Sequence, residues 1–237
     1  MDGLLSVNGV QLCIIFLSAI VHASLQCELG ALLLLYHASL GKHIRKKTKF
    51  LVSNYIFGSA LLICLTVTTI AFLIATLTES SLSTTCMAVM ASVLLMLALL
   101  IWFFYYKSRR STELWLPKSV ARHINNRAKL TESNVEAFSL GMLTAFAEMP
   151  FSFVLMLVAG NSVVLLPFEW QFLSILGYTF IAILPLFVLR FFIRRGSTVV
   201  DVQKWRVKNK NFLKAMSGTL FLTLAIFIIA FRILGAK

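Results

Sequence analysis

Phe16-Leu-Ser-Ala-Ile-Val-His22-Ala-Ser-Leu-Gln26-Cys27-Glu28-Leu-Gly30-Ala31 places one carboxylate inside an otherwise apolar run. The chain repeats that arrangement once, as Ala137-Phe-Ser-Leu-Gly-Met-Leu-Thr144-Ala-Phe-Ala-Glu148-Met-Pro150-Phe-Ser152. Glu28 and Glu148 stand 120 residues apart. A similar offset relates the apolar runs that begin near residues 50 and 169, and those that begin near 87 and 212. The chain therefore reads as two halves of three helices each. Three is odd, so the second half must sit upside down relative to the first. That is the inverted repeat of many secondary transporters, whose sites lie at mid-membrane on discontinuous helices. The competing reading is that any six-helix chain can be cut into halves that look alike.

Composition supports helices in lipid. Of 237 residues, 59% are hydrophobic and 13% charged, with a mean hydropathy of +0.88. A soluble domain is typically ~45–50% apolar and ~25% charged. Soluble globular and disordered classes are both excluded. Four cysteines without CxxC spacing make neither a disulfide scaffold nor a zinc knuckle. A crossing needs ~20 apolar residues, and six segments qualify: 10–40, 50–77, 87–106, 136–160, 169–193 and 212–234. The expected fold is thus an all-α polytopic membrane protein with six transmembrane helices, the first helix of each repeat broken. The first run spans residues 4–40, almost two crossings long. It is either two helices turning near residues 22–26 or one long or broken helix with polar residues at mid-depth. The repeat favours the single broken helix.

The net charge of +13 and a pI near 10.0 suggest nucleic acid, but the positions of the charges exclude it. Twenty of the 22 Lys and Arg fall in three clusters between spans: 42–49, 107–129 and 190–214. Basic loops beside apolar helices are the positive-inside signature, and they suit anionic lipid headgroups. The connections 76–86 and 161–168 carry no base. With the basic loops in the cytoplasm, all five loops alternate sides and both termini are extracytoplasmic. The first residues show no cleavable signal peptide. The chain divides into a three-helix repeat (1–106), a basic cytoplasmic connector (107–135) and a second repeat (136–237). Residues 120–130 suit a short basic helix on the inner leaflet. Ser133-x-x-Glu136 is a capping box that starts the fourth span. Residues 197–214, with Trp205 among bases, are also helix-compatible.

An ionisable side chain in hydrocarbon is a functional hypothesis by default, and only Glu28 and Glu148 lie deep in spans. No Lys or Arg sits mid-span beside either. Their partners are therefore protons, a cation, polar side chains or water; the alternative is a pair of permanently protonated structural acids. His22 and Gln26 share a helical face next to Glu28, and the polar set around Glu148 is Thr144, Ser152 and Asn161. Cys27 and His22 are weak candidates for a metal site, against His22 as a hydrogen-bonded core histidine. Pro150 lacks a backbone donor and breaks the ladder near Phe146, freeing carbonyls for a cation or water. Gly30 follows Glu28 by the same interval, so helix breaks are expected at Gly30 and Pro150.

These two segments resemble the LysE superfamily, which also includes the CcdA-type thiol-electron carriers and the manganese/calcium exchangers. The exchangers carry Glu-x-Gly-Asp-Lys in the first helix of each half. Here Cys27-Glu28-Leu29-Gly30-Ala31-Leu32 keeps the Glu and the Gly, and Ala147-Glu148-Met149-Pro150-Phe151-Ser152 keeps the Glu. The Asp and Lys are absent from both halves, and 136–160 contains no Cys. The resemblance implies a 3+3 inverted-repeat transporter with Glu28 and Glu148 at its centre.

The function expected is secondary transport or export of a small solute or cation, through a mid-membrane site built on Glu28, Glu148, His22, Gln26 and Thr144. The alternative is a non-transporting membrane subunit of a respiratory, secretion or insertion complex. No nucleotide loop, nucleophile triad or cofactor pattern is visible, so no enzyme and no cofactor is expected beyond proton or cation coupling. Expected partners are the bilayer, anionic headgroups, the solute, and a homodimer partner or larger membrane complex, with no nucleic acid. The expected location is a bacterial-type inner (plasma) membrane.

Overall fold

A computed structural model describes residues 2–25, 31–33, 35–36, 45–78, 81–103, 118–194 and 199–235. The described residues form helices and short turns, with no strand. The elements are α1 (Asp2–Ser24), α2 (Arg45–Leu77), α3 (Thr84–Phe103), α4 (Lys118–Leu130), α5 (Asn134–Val164), α6 (Phe168–Arg194), α7 (Val199–Lys208) and α8 (Lys210–Ile228), the last extended by a π-helical turn at Ile229–Ile233. Among the described residues, five helices are long and apolar enough to cross a membrane: Thr48–Leu77, Thr84–Phe103, Asn134–Val164, Phe168–Phe192 and Lys210–Ile233. In such segments every backbone group is paired internally, which is what hydrocarbon demands. Phe57, Phe72, Phe172, Phe180, Phe191 and Phe212 project from the bundle as exposed side chains. An outward surface this apolar belongs in a lipid bilayer.

The first apolar run is not one continuous helix. α1 ends at Ser24, Leu25 is non-helical, and helical residues resume at Ala31. The described apolar stretch Asn8–Ser24 is shorter than the five spans. The chain does not turn back after the break. Leu33 lines a cavity with Leu184, Pro185 and Leu189 of α6, and Tyr36 is within electrostatic reach of Arg190. The segment thus continues toward the end of the bundle that carries the basic clusters, hereafter the basic end. Gln26, Cys27, Glu28 and Gly30 lie outside the described residues.

α5 begins where the capping box sets it. The Ser133 hydroxyl accepts from the Glu136 amide at 3.2 Å, and the Glu136 carboxylate accepts from the amides of Glu132 and Ser133. α5 then runs past the expected end of the span. Asn161 and Ser162, read from sequence as the start of a loop, are fully buried inside it. Asn161 Oδ1 accepts from the Leu82 amide at 2.8 Å and so ties the α2–α3 connection to α5 at the end opposite the basic one. Asn161 therefore stands far from Glu148 rather than beside it.

The expected break at Pro150 does not occur: α5 remains one helix from Asn134 to Val164 with Pro150 inside it. Pro150 removes a donor and crowds the carbonyl four residues back. Pro150 and Phe146 are both exposed, so the disrupted side of the helix faces outward. On either side of it α5 is packed closely on α2: Gly141 lies against Tyr55 and Ser59, and Gly160 against Ile70 and Ala71.

These contacts also show that α2 and α5 run in the same direction, from the basic end to the far end. α8 does likewise, because Gly218 near its start abuts Trp102 near the end of α3. α1 runs the other way, since Ser24 accepts from Ser217 in the early part of α8 at 3.4 Å. Among the described helices, α1 packs on α5, α6 and α8; α2 on α5 and α6; and α3 on α8 and α5, with α2–α5 the most extensive pairing. First-half helices thus bury themselves mainly against second-half ones. The core has two parts, one between α2, α5 and α6 and joined by Ile15 and Ala19 of α1, the other between α1, α3, α5 and α8. α4 lies on α5 through buried Ile124 and Ala128.

Candidate functional site: a buried polar cluster at mid-span

Glu148 sits at the midpoint of α5 and is 2% exposed. α6 runs beside it and brings Tyr178, itself fully buried, near enough for the carboxylate to act on the phenol electrostatically. The Tyr178 hydroxyl also meets His22 Nδ1 of α1 at 3.0 Å, and the two rings are tilted with centroids 5.8 Å apart. His22 is 4% exposed. A carboxylate, a phenol and an imidazole from three helices therefore share one water-poor locus. Each can hold or pass a proton, and Tyr178 interacts with both of the others.

One turn and more toward the basic end lies a second polar layer. The Thr144 hydroxyl donates to the carbonyls of Leu140 and Gly141 at 3.1 and 2.9 Å, which leaves Tyr55 as donor in the 2.8 Å contact between Tyr55 and Thr144. Ser59 donates to the Gly141 carbonyl at 3.1 Å. On the other side of Glu148, Ser152 is buried and donates back to the Glu148 carbonyl at 3.2 Å. Other polar side chains of α2 satisfy their own helix: Ser53, Asn54, Thr66 and Thr68 all donate to carbonyls four residues back. The structure thus brings together Glu148, His22 and Thr144 around the centre of α5. Glu28, Gln26 and Cys27 lie outside the described residues, as does the pairing of the two glutamates.

Tyr55 is the member of the site that the sequence did not single out. Tyr178 reads from sequence as one of the fifth-span side chains, with Gln171 and Thr179, that could line a polar path, and what the sequence did not give is its pairing with His22. Buried tyrosines normally find a partner for the hydroxyl, and the mid-span depth of Tyr178 is the signal for one. Removal of its hydroxyl, Tyr178→Phe, leaves a buried His22 nitrogen without its partner. The expected cost is about 1–3 kcal/mol, against about 1 kcal/mol for Tyr55→Phe, where Thr144 keeps its backbone acceptors. Thermal unfolding in detergent checks this: the Tyr178→Phe midpoint should fall clearly further than that of Tyr55→Phe.

For a metal, the described residues contain no group of three or more His, Cys, Asp or Glu. His22 has its Nδ1 committed to Tyr178, so at most Nε2 would be a ligand. Two cavities lie away from the cluster. One of about 740 Å³ opens between the basic-end half of α6 and α7, walled by Leu184, Pro185, Val188 and Phe192 and closed by Trp205 and Arg206. The other, about 320 Å³, lies between α4 and α5 near His123, Arg127 and Glu136. No protein-family model, curated protein or solved structure matches the chain.

Proposed function

We propose that the chain is a proton- or cation-coupled transporter of a small solute, with Glu148 as the titrating group of its mid-membrane site. One observation carries the reading: a glutamate 2% exposed at the middle of a membrane-length helix, grouped with Tyr178 and His22. No Lys or Arg occurs between Lys49 and Lys107 or between Lys129 and Arg190, so the spans that meet there bring no fixed cation. An ionisable carboxyl in that position is costly unless a proton, a cation, polar groups or water compensate it. Glu28 is the proposed second acid.

The inverted repeat with its six crossings belongs to the same proposal, as does the LysE-like layout. If α1, α2 and α3 correspond to α5, α6 and α8, the α1–α6 contact has the α2–α5 contact as its counterpart, and α1–α8 has α3–α5. Each half then leans on the other, so the alternation of access is a movement of the interrupted first apolar run and of α5 rather than a rocking of two separate halves. The basic end is cytoplasmic and the far end extracytoplasmic. Cysteines at Ser83 and Phe168, both exposed at the far end, should react with an impermeant thiol reagent on intact cells, and one at His123 only after lysis. The reverse pattern overturns the sidedness.

The functional test is reconstitution alone into proteoliposomes with an entrapped pH dye and a panel of small solutes. Solute-driven proton movement supports transport. The second reading, an accessory membrane subunit, is favoured by the exposed Trp205 beside the basic surface of α7. Its signature is a chain that is stable only when co-purified with others and moves nothing by itself.

A further inference from the structure

The route to Glu148 is written on two helix faces that neither the capping nor the packing explains. On α1, Gln11, Ser18 and His22 recur at intervals of seven and four and so share one helical face; all are at least nine-tenths buried, at 2%, 0% and 4% exposed. On α6, Gln171, Ser174 and Tyr178 recur at three and four and share another face. The His22–Tyr178 contact points these faces at each other. Ile15 and Ala19 of α1 belong to the same core cluster as Ile175 and Tyr178 of α6, and the two helices pack on each other. The two helices run in the same direction, so from the His22–Tyr178 contact both faces climb together: at ~1.5 Å per residue Ser18 and Ser174 stand at one level, and Gln171 and Gln11 follow ~10 Å and ~16 Å above the contact. The seam rises ~16 Å along α1 from His22 to Gln11, toward the far end of the bundle.

Two atoms in the seam are anomalous. Gln11 Oε1 and Ser18 Oγ are buried and have no hydrogen-bond partner. Gln171 by contrast donates to the Leu166 carbonyl at 3.0 Å. Orphaned polar atoms cost more than apolar ones of the same shape if their surroundings are dry, and buried water characteristically takes such groups as partners. The lining is uncharged and hydrogen-bonding, which suits water and hinders ions that must shed their shells.

We infer that the seam between α1 and α6 takes a file of water and carries protons between the far end of the bundle and Glu148, with Tyr178 and His22 as its inner terminus. The inference rests on the reading of Glu148 as a titrating group. It adds the side from which the proton comes and the chemical class that travels, water and protons rather than the solute.

The test is thiol accessibility in a background whose four native cysteines are replaced. Ser18→Cys and Gln11→Cys are compared with Phe172→Cys, which is 71% exposed on the outward apolar surface and stands for lipid contact. A small, charged, impermeant methanethiosulfonate is added to intact cells. The seam predicts modification of Ser18→Cys at least tenfold faster than of Phe172→Cys, because only a hydrated thiol ionises, together with loss of proton movement on modification. Equal or slower modification at both seam positions, in variants that elute and unfold like the parent, overturns it; Ser174→Cys on the opposite wall replaces any variant that does not fold. A second readout is independent of labelling. In a dry seam, Ser18→Ala deletes an orphaned hydroxyl and raises the unfolding midpoint, and that rise overturns the proposal; in a wet seam no rise occurs. The two hypotheses fail separately. An unreactive seam leaves Glu148 as a transport residue reached by another route. A reactive seam beside a fully active Glu148→Gln protein overturns proton delivery to that residue.

Discussion

Gly141→Leu is expected to leave no monodisperse folded protein, and Gly58→Leu the same. α2 and α5 meet backbone to backbone at this pair. A Cβ on Gly141 would run into the Tyr55 carbonyl and the Ser59 amide nitrogen, and one on Gly58 into the Phe138 carbonyl. Small residues are what allow membrane helices to approach so closely, because between helices in lipid the packing contacts replace the hydrophobic drive. Backbone atoms on both sides cannot move aside as a flexible side chain would. Even Gly141→Ala should cost about 1–3 kcal/mol, the usual penalty of overpacking. A leucine must push the helices apart along the most extensive interface in the bundle. That breaks the Ser59 bond to the Gly141 carbonyl and the Tyr55–Thr144 bond together. Gly177→Ala is the control, since nothing lies within 4 Å of a Cβ there. Size-exclusion profiles after graded heating read the outcome. A Gly141→Leu protein that elutes and melts like the parent means that the α2–α5 contact is not part of the fold.

Glu148→Gln should reduce coupled flux to background while the protein still folds. Glutamine keeps the size of the side chain and the hydrogen-bonding pattern of a protonated acid but cannot titrate. If Glu148 only braces the fold as a neutral hydrogen-bonded acid, the amide substitutes for it and both flux and thermal midpoint stay near the parent values. If it exchanges a proton during the cycle, flux collapses and the midpoint holds. Glu148→Leu separates the two properties further. It removes the polar partner from beside Tyr178 and should lower the midpoint as well as the flux. Parental flux in Glu148→Gln proteoliposomes removes the central residue of the proposed mechanism.

Several features could be read along the chain because they are local. A long apolar run in lipid must be helical to pair its own backbone, and that placed α2, α3, α5, α6 and α8 within a few residues of their ends. Ser133 and Glu136 announced the start of α5 by a motif only four residues long, and the geometry of both hydrogen bonds agrees. The basic helix expected at 120–130 appears as α4 from Lys118 to Leu130. Where the sequence misjudged, the deciding force came from elsewhere in the chain. Pro150 does remove a donor, but α5 stays helical through it, held against α2 at Gly141 and Gly160 on either side. Asn161 looked like the start of a loop until the Leu82 amide supplied a partner for it within the helix.

Sequence alone determined that the chain is a bundle of apolar helices with one glutamate buried in the middle of the fourth apolar span, because helix formation and its ends depend on neighbours a few positions away. Only the tertiary structure decided what that glutamate meets. The approach of α1 and α6 brings His22 to Tyr178 across 156 positions of chain, and the notch at Gly58 and Gly141 sets the depth at which α2 and α5 interlock. Neither follows from periodicity, which says which residues share a face but not which face it will lie against. That choice is made by close packing, where one missing Cβ admits one partner helix and excludes the others.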